Sequence, residues 1–243
     1  MTPTEAPSGE ATLLDEIAVE TDGRPPGWMQ DWVRKPIGST IKRLWNFEIE
    51  GIENVPPEGP VLLTPNHLSF IDSLFVMALS PRRTLAVGKG EYMDSLKTKY
   101  LFPALGMVPI DRSGGGAADT TLDRVAAFLH SGSAFLIYPE GTRSRDGLLH
   151  RGRTGAVRLA FRTGAKIVPV GLIGTPAIQP IDTVMPHFGL SCVIRFGDPI
   201  DAVARIGRDA NRRDLRSLTD ELMFEISELS GQQYVDTYGN EEP

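Results

Sequence analysis

Residues 134–173 read AFLIYPEGTRSRDGLLHRGRTGAVRLAFRTGAKIVPVGLI. Ala134–Tyr138 is a short unbroken apolar run of strand length, and a polar loop follows it. Thr154–Arg162 repeats its apolar residues at helical spacing, and Gly164 stands where a helix-ending glycine is expected. Ile167–Ile173 is β-branched and strand-like, with Pro169 inside it predicting an edge strand or a bulge. The same strand–loop–helix–strand grammar extends outward. Pro60–Thr64 and Thr84–Val87 are candidate strands separated by a helix near 69–80, and Asp119–His130 reads as a helix. In the segment 209–230, Leu215, Leu218, Leu222, Ile226 and Leu229 fall at helical spacing, predicting a helix packed on the core. Apolar strands alternating with amphipathic helices predict an α/β fold, a mainly parallel central sheet covered by helices.

The 243 residues suit one such domain with decorated ends, and 41% hydrophobic against 23% charged residues excludes wholesale disorder. The single cysteine, Cys192, excludes an internal disulfide and a cysteine-based metal cluster, and its strand-like surroundings predict a buried, inert thiol. No secretory apolar segment and no long uncharged apolar stretch is present, so the expectation is a protein that is cytosolic or lies on a membrane without crossing it. The net charge of −6 is uneven. Residues 1–23 carry six acids and no base, residues 24–197 carry 20 bases against 14 acids, and residues 198–243 carry five against eleven. The basic middle suits an anionic ligand or an anionic bilayer surface; a solvated surface with acidic tails accounts for the charge equally well. Residues 1–27, rich in Pro, Thr, Glu and Gly, are expected to be disordered or loosely attached.

Two polar clusters follow apolar runs. Asn66-His67-Leu68-Ser69-Phe70-Ile71-Asp72 comes after Val61–Leu63, and Glu140-Gly141-Thr142-Arg143 comes after Ala134–Tyr138. Residues five apart lie about 140° apart around a helix, so His67 and Asp72 cannot share one helical face. They meet if His67 precedes a helix and Asp72 lies in its first turns, with Asn66 or Ser69 as its cap. A carboxylate on one ring nitrogen then fixes the tautomer, leaves the other nitrogen as a base and stabilises the imidazolium. A hydrogen-bonded structural histidine is the competing reading. His130, His150 and His187 lack such company. Ser69 and Ser73 lie close enough to raise a nucleophilic serine, but no Gly-x-Ser-x-Gly elbow exists. One histidine and one aspartate are too few for a metal, and no His-Glu-x-x-His occurs.

In the second cluster Arg143 offers a forked donor for phosphate, Thr142 a hydroxyl, Gly141 close backbone approach, and Glu140 an acceptor for a glycerol hydroxyl. A structural Glu140–Arg143 ion pair is the alternative. Arg112 supplies a second guanidinium, and Gly114-Gly115-Gly116 beside it reads as a connector. A base–carboxylate pair at one strand end and an anion-binding set at another suit acyl transfer to a phosphorylated alcohol.

Together these segments resemble the glycerolipid acyltransferase family that includes the 1-acyl-sn-glycerol-3-phosphate acyltransferases, the PlsC type. Asn66-His67-x4-Asp72 is similar to its first motif, Gly106…Ile110-Asp111-Arg112 to its second, Tyr138-Pro139-Glu140-Gly141-Thr142-Arg143 to its third, with Tyr138 in place of the usual Phe, and Val168-Pro169-Val170 to its fourth. The four occur in family order over about residues 48–200, closing at Phe196–Ile200. The resemblance implies a glycerol-3-phosphate acyltransferase-like fold in which His67, oriented by Asp72, deprotonates an acceptor hydroxyl. Arg112 and Arg143 would hold the acceptor phosphate in a pocket shaped by Glu140, Gly141 and Thr142, with Lys89 at a basic position often found beside it. The implied reaction joins lysophosphatidic acid to the acyl group of acyl-CoA or acyl-carrier protein as co-substrate, with no metal and no cofactor. Acylation of glycerol 3-phosphate or of another lysolipid uses the same motifs. A thioesterase and a non-catalytic lipid-binding scaffold remain as other classes.

All three tryptophans, Trp28, Trp32 and Trp45, lie near Arg34, Lys35, Lys42 and Arg43, which suits the headgroup region of an anionic membrane. Lys97–Met107 is a second such candidate, and ordinary core packing is the alternative for both. The expected organisation is therefore a loose N-terminus (1–27), an amphipathic membrane-associating segment (28–47), a catalytic domain (48–200) and a C-terminal helix and tail (201–243), peripheral on the cytoplasmic face of the cell membrane. Nothing points to nucleic acid.

Overall fold

In the computed structural model, which describes residues 24–89, 101–110 and 117–239, the chain opens with α1 (Gln30–Leu44) and β1 (Asn46–Glu50). It continues through β2 (Val61–Pro65), α2 (Ile71–Leu79), β3 (Thr84–Lys89), β4 (Met107–Ile110), α3 (Ala117–His130) and β5 (Ala134–Leu136). After a long loop come β6 (Leu149–His150), α4 (Gly155–Thr163), β7 (Lys166–Ile173), the single turn α5 (Thr175–Ile178), β8 (Ser191–Phe196) and β9 (Ile200–Asp201). The chain closes with α6 (Ala202–Ile206), α7 (Arg212–Ser230) and β10 (Tyr234–Val235).

The main sheet runs β1-β8-β7-β2-β5-β3-β4, with β9 beside β7. All of its pairings are parallel except those of β7 with β8 and with β9. A parallel strand with helices on both faces must be apolar throughout, and all five residues of β2 are buried. Pleating sends them alternately to two cores. Leu62, Phe135 and Ile167 pack with Val125 and Leu129 of α3, Leu159 of α4 and Leu222 and Ile226 of α7. Val61, Leu63, Leu136 and Val168 pack with Ile41 of α1 and Phe75 and Val76 of α2. Truncating a fully buried leucine such as Leu62 to alanine would cost about 2–5 kcal/mol.

The expected α/β architecture and its elements are present, with α4 ending at Gly164 in the left-handed conformation. Pro169 does not mark an edge: β7 lies inside the sheet, between β2 and β8. Its antiparallel partner changes there, from β8 (ending Val170↔Phe196) to β9 (starting Ile167↔Ile200), so the proline sits opposite a break in the ladder. α7 begins with a capping box in which Asn211 accepts from Arg213 N–H and Asp214 accepts from Asn211 N–H. Cys192 is buried in β8, and burial pushes its thiol up to about 12.

α1 docks through polar latches. The Gln30 amide donates to the carbonyls of Thr84 and Leu105 and accepts from Thr84 N–H, the Arg34 guanidinium donates to Ser80 O, and Arg83 pairs with Asp31. Trp32 projects from this helix at 79% exposed, and Trp28 is half-buried under the Arg24 guanidinium. Trp45 does not reach the surface. It is 5% exposed, edge-on to Phe75, with its indole N–H on His187 O, because β1 starts at the next residue and draws it into the core. Asn46 and Phe47 are sheet residues, and Pro26 and Gly27 are already packed, with Gly27 N–H on Pro103 O. In the 97–107 segment, residues 97–100 lie outside the described residues, as do Gly114–Gly116; 101–104 are helical and Met107 opens β4. Among the described residues no helix is long and apolar enough to cross a membrane.

Candidate active site

The parallel strands β2, β5, β3 and β4 all present their carboxyl ends at one edge of the sheet, where ligand crevices form in open α/β folds. The histidine loop leaves β2 there and the Glu140–Arg143 loop leaves β5.

Asp72 lies in the first turn of α2 and is fully buried. Its Oδ2 accepts from three donors: His67 Nδ1 at 2.9 Å and the N–H groups of Leu68 and Ser69 at 2.8 Å each. The carboxylate thus shapes the loop and sets the proton on Nδ1, leaving Nε2 with a free lone pair. The His67 side chain is 16% exposed and lies flat on the Tyr138 ring, 3.6 Å between centroids and 13° between planes. The Tyr138 hydroxyl is bonded to Ser73 Oγ at 2.8 Å, and burial raises its pKa well above the usual value. Ser69 Oγ donates to Gln179 O at 2.6 Å. Both serines considered as nucleophiles are therefore engaged away from the imidazole.

Asn66 does not cap α2. Its amide pairs in both directions with Leu172 of β7 and donates to Gln232 Oε1, which pins the loop to the neighbouring strand. Ser69 Oγ lies 3.4 Å from Ile71 N, a weak contact, so α2 starts without a side-chain cap, and Asp72 instead ties down the loop N–H groups ahead of it.

Glu140 is 3% exposed and reaches no ion pair with Arg143 among the described residues. Its Oε1 accepts from His67 N–H at 3.1 Å and its Oε2 from His150 N–H at 3.0 Å. Ser144 N–H closes the same seam on His67 O at 2.8 Å. Burial outweighs these two bonds and pushes the Glu140 carboxyl up to about 7. Gly141 turns the chain at φ 76°, a conformation that other residues adopt only with strain, and a Cβ there would stand 3.2 Å from Arg153 Nε. Thr142 and Arg143 are half-buried, and Arg143 has no hydrogen bond or ion pair among the described residues.

Lys89 ends β3 at this edge, in register with Ile110, the last residue of β4. Arg112 lies outside the described residues. Sequence reasoning missed Arg153, whose N–H bonds Pro139 O at 2.7 Å and whose guanidinium lies over Tyr238 at 5.3 Å. The basic run Arg151-Gly152-Arg153 was its signal. It also missed β10, which pairs with β6 and brings the 234–239 segment against His150 and Thr142. Among the described residues no cluster of His, Cys, Asp or Glu is arranged to hold a metal.

A family-wide sequence profile described as Acyltransferase matches residues 46–173, just over half of the chain. Curated relatives include the chloroplastic 1-acyl-sn-glycerol-3-phosphate acyltransferase of Arabidopsis thaliana, 30% identical over 196 residues, covering 76% of this chain and 54% of that protein. A chloroplastic enzyme of the same name from Brassica napus is 28% identical over 208 residues, 79% of this chain and 60% of that one. The chain therefore spans a little over half the length of these relatives. The solved structure of the 1-acyl-sn-glycerophosphate acyltransferase PlsC from Thermotoga maritima shares the fold, with a TM-score of 0.62, 20% identity and coverage of 82% of this chain and 80% of that one. The profile match, laid over a histidine–aspartate pair and a glutamate–arginine loop at one sheet edge, means that this chain belongs to the acyltransferase family.

Proposed function

We propose that the chain moves a fatty acyl group from acyl-CoA or acyl-carrier protein to the free hydroxyl of 1-acyl-sn-glycerol 3-phosphate, giving phosphatidic acid. The observation that carries this reading is the seam at Glu140. One buried carboxylate, itself in the anion-binding loop, holds the backbone of the base, His67, and that of His150 in β6, which ties the two loops together. His67 Nε2 takes the proton of the acceptor hydroxyl as its oxygen attacks the thioester carbonyl. The C–O bond forms, the C–S bond breaks, and the imidazolium returns the proton to the departing thiolate. Asp72 stabilises the imidazolium through Nδ1. Arg143, with Arg112 and Lys89, neutralises the acceptor phosphate, and Gly141 and Thr142 let it approach the backbone. Glu140, with one backbone N–H on each oxygen, positions the loops and keeps a second lone pair on each oxygen as an acceptor for a glycerol hydroxyl. The chemistry needs no metal or prosthetic group, because the thioester is already activated.

The membrane-facing part of this reading rests on α1, with Trp28, Trp32, Lys35, Lys42 and Arg43, and on the 97–107 segment; Trp45 is withdrawn from it. Peripheral attachment to the cytoplasmic face follows from that charge and is part of the proposal. The catalytic unit runs from β1 at Asn46, and α7 packs against β7 as part of the same body. Mass-spectrometric product analysis with lysophosphatidic acid and a set of acyl-CoAs tests the reaction. Phosphatidic acid is expected. Free fatty acid without acylated lipid would replace the reading by a thioesterase, and acylation of glycerol 3-phosphate alone would move the acceptor.

A further inference from the structure

The loop between α5 and β8 carries Val184, Met185, Phe188 and Leu190, exposed by 88%, 69%, 56% and 37%. Large apolar side chains standing this far into water, side by side, mark an interaction surface. The loop is not slack. His187 N–H bonds Ile178 O at 2.7 Å, Gly189 N–H bonds Leu44 O at 2.9 Å, and the Gln179 amide donates to Val184 O at 3.1 Å. From beneath, the buried Trp45 ring packs on Phe188 at 5.2 Å and its indole N–H holds His187 O at 2.7 Å.

We infer that this loop is a wedge that enters the acyl region of an anionic bilayer beside the active site. Four large apolar side chains exposed within seven residues of one anchored loop fit insertion into lipid. Positive charge lies beside the tip, since its bond to Leu44 places it at the end of α1, where Lys42 and Arg43 are exposed, against one exposed acid, Asp182, in the loop itself. α1 holds four bases, and its one acid, Asp31, is paired with Arg83. An apolar tip beside cations matches lipid tails beneath anionic headgroups. Gln179 O, at the foot of the loop, takes the Ser69 hydroxyl at 2.6 Å, so the wedge is tied to the histidine loop. Just after Ser69 in the chain, Phe70 and Leu74 are also exposed, at 44% and 43%. An acceptor lipid could then pass from the bilayer toward His67 along apolar surface; this path rests on the acceptor proposed above, whereas the surface itself does not.

The test is the V184S/M185S/F188S variant, with vesicles of phosphatidylcholine mixed with phosphatidylglycerol. Co-sedimentation is expected to fall by about tenfold or more, and acyl transfer to vesicle-embedded acceptor to fall in parallel. Transfer to a water-soluble short-chain lysophosphatidic acid should be unchanged, and the melting temperature should fall by no more than a few degrees, for the lost Phe188 contact with Trp45. In a second measurement, V184C labelled with an environment-sensitive dye should report an apolar setting on adding these vesicles, since Cys192 is buried. Vesicle binding that is equal in native and triple-variant protein, or absent in both, overturns the inference. So does a concentration-dependent dimer that the triple variant abolishes while vesicle binding persists, since the occupant would then be a second copy. A protein that binds vesicles through this loop yet transfers no acyl group would leave the wedge standing and remove the proposed reaction.

Discussion

One oxygen of Asp72 accepts three N–H groups, while its other oxygen is buried with no hydrogen-bond partner among the described residues. An orphaned buried acceptor costs stability, so the arrangement favours a charge held for the imidazole over the most stable loop. Asp72→Asn can keep the three contacts through its carbonyl but loses the charge; kcat should fall about a thousandfold with little change in melting temperature. Steady-state kinetics beside a thermal melt would check this, and near-native kcat would deny Asp72 its role. Glu140 makes a different prediction. Its carboxyl titrates near 7 in the folded chain and near 4.5 unfolded, so between those values the folded state holds more protons and its contribution to stability falls as pH rises. Glu140→Gln removes that slope but leaves one N–H, of His67 or His150, without an acceptor. The variant should be the less stable protein at low pH, and the gap should narrow by about 3 kcal/mol between pH 4.5 and 7. Urea unfolding across that range gives the answer, and parallel curves would contradict it. His67 and Asp72 were legible in sequence because their contact is local. Glu140's partners were not, because they depend on β2 and β5 lying side by side although 73 residues separate His67 from Glu140.

Helices and strands were legible where the pattern is periodic, and misread where a neighbour decides. Pro169 seemed to require an edge, yet β7 tolerates it because β8 hands over to β9 opposite that residue. Trp45 resembled an interfacial tryptophan because cations precede it, and only the start of β1 turns it inward. Against α7, β7 uses a glycine for closeness: a Cβ on Gly171 would stand 2.5 Å from the Leu229 carbonyl carbon and 2.6 Å from its oxygen. Backbone cannot rotate aside as a side chain would. Gly171→Ala should therefore destabilise the protein by about 1–3 kcal/mol by pushing α7 off the sheet, measured by denaturant unfolding. An unchanged midpoint would mean that α7 moves freely at that point.

The site is completed from the far end of the chain. Leu149 and Arg151 N–H bond the carbonyls of Gln233 and Thr237, and Tyr238 lies under the guanidinium groups of Arg151 and Arg153. Deleting residues 233–243 should leave α7 and its core contacts in place while loosening His150, and with it Glu140. A fall of about 100-fold in kcat/KM with a shift of only a few degrees in Tm is expected, and native kinetics would show the strap to be ornamental. None of this was visible in the sequence, where 233–239 carries no motif. The proposed reaction rests on a single nitrogen, Nε2 of His67, as the base. Its most direct test is phosphatidic acid formation by His67→Ala from lysophosphatidic acid and acyl-CoA, at matched folded concentration. The account predicts a rate at least about 1,000-fold below the native protein with an unchanged melting temperature; transfer at the native rate would contradict it.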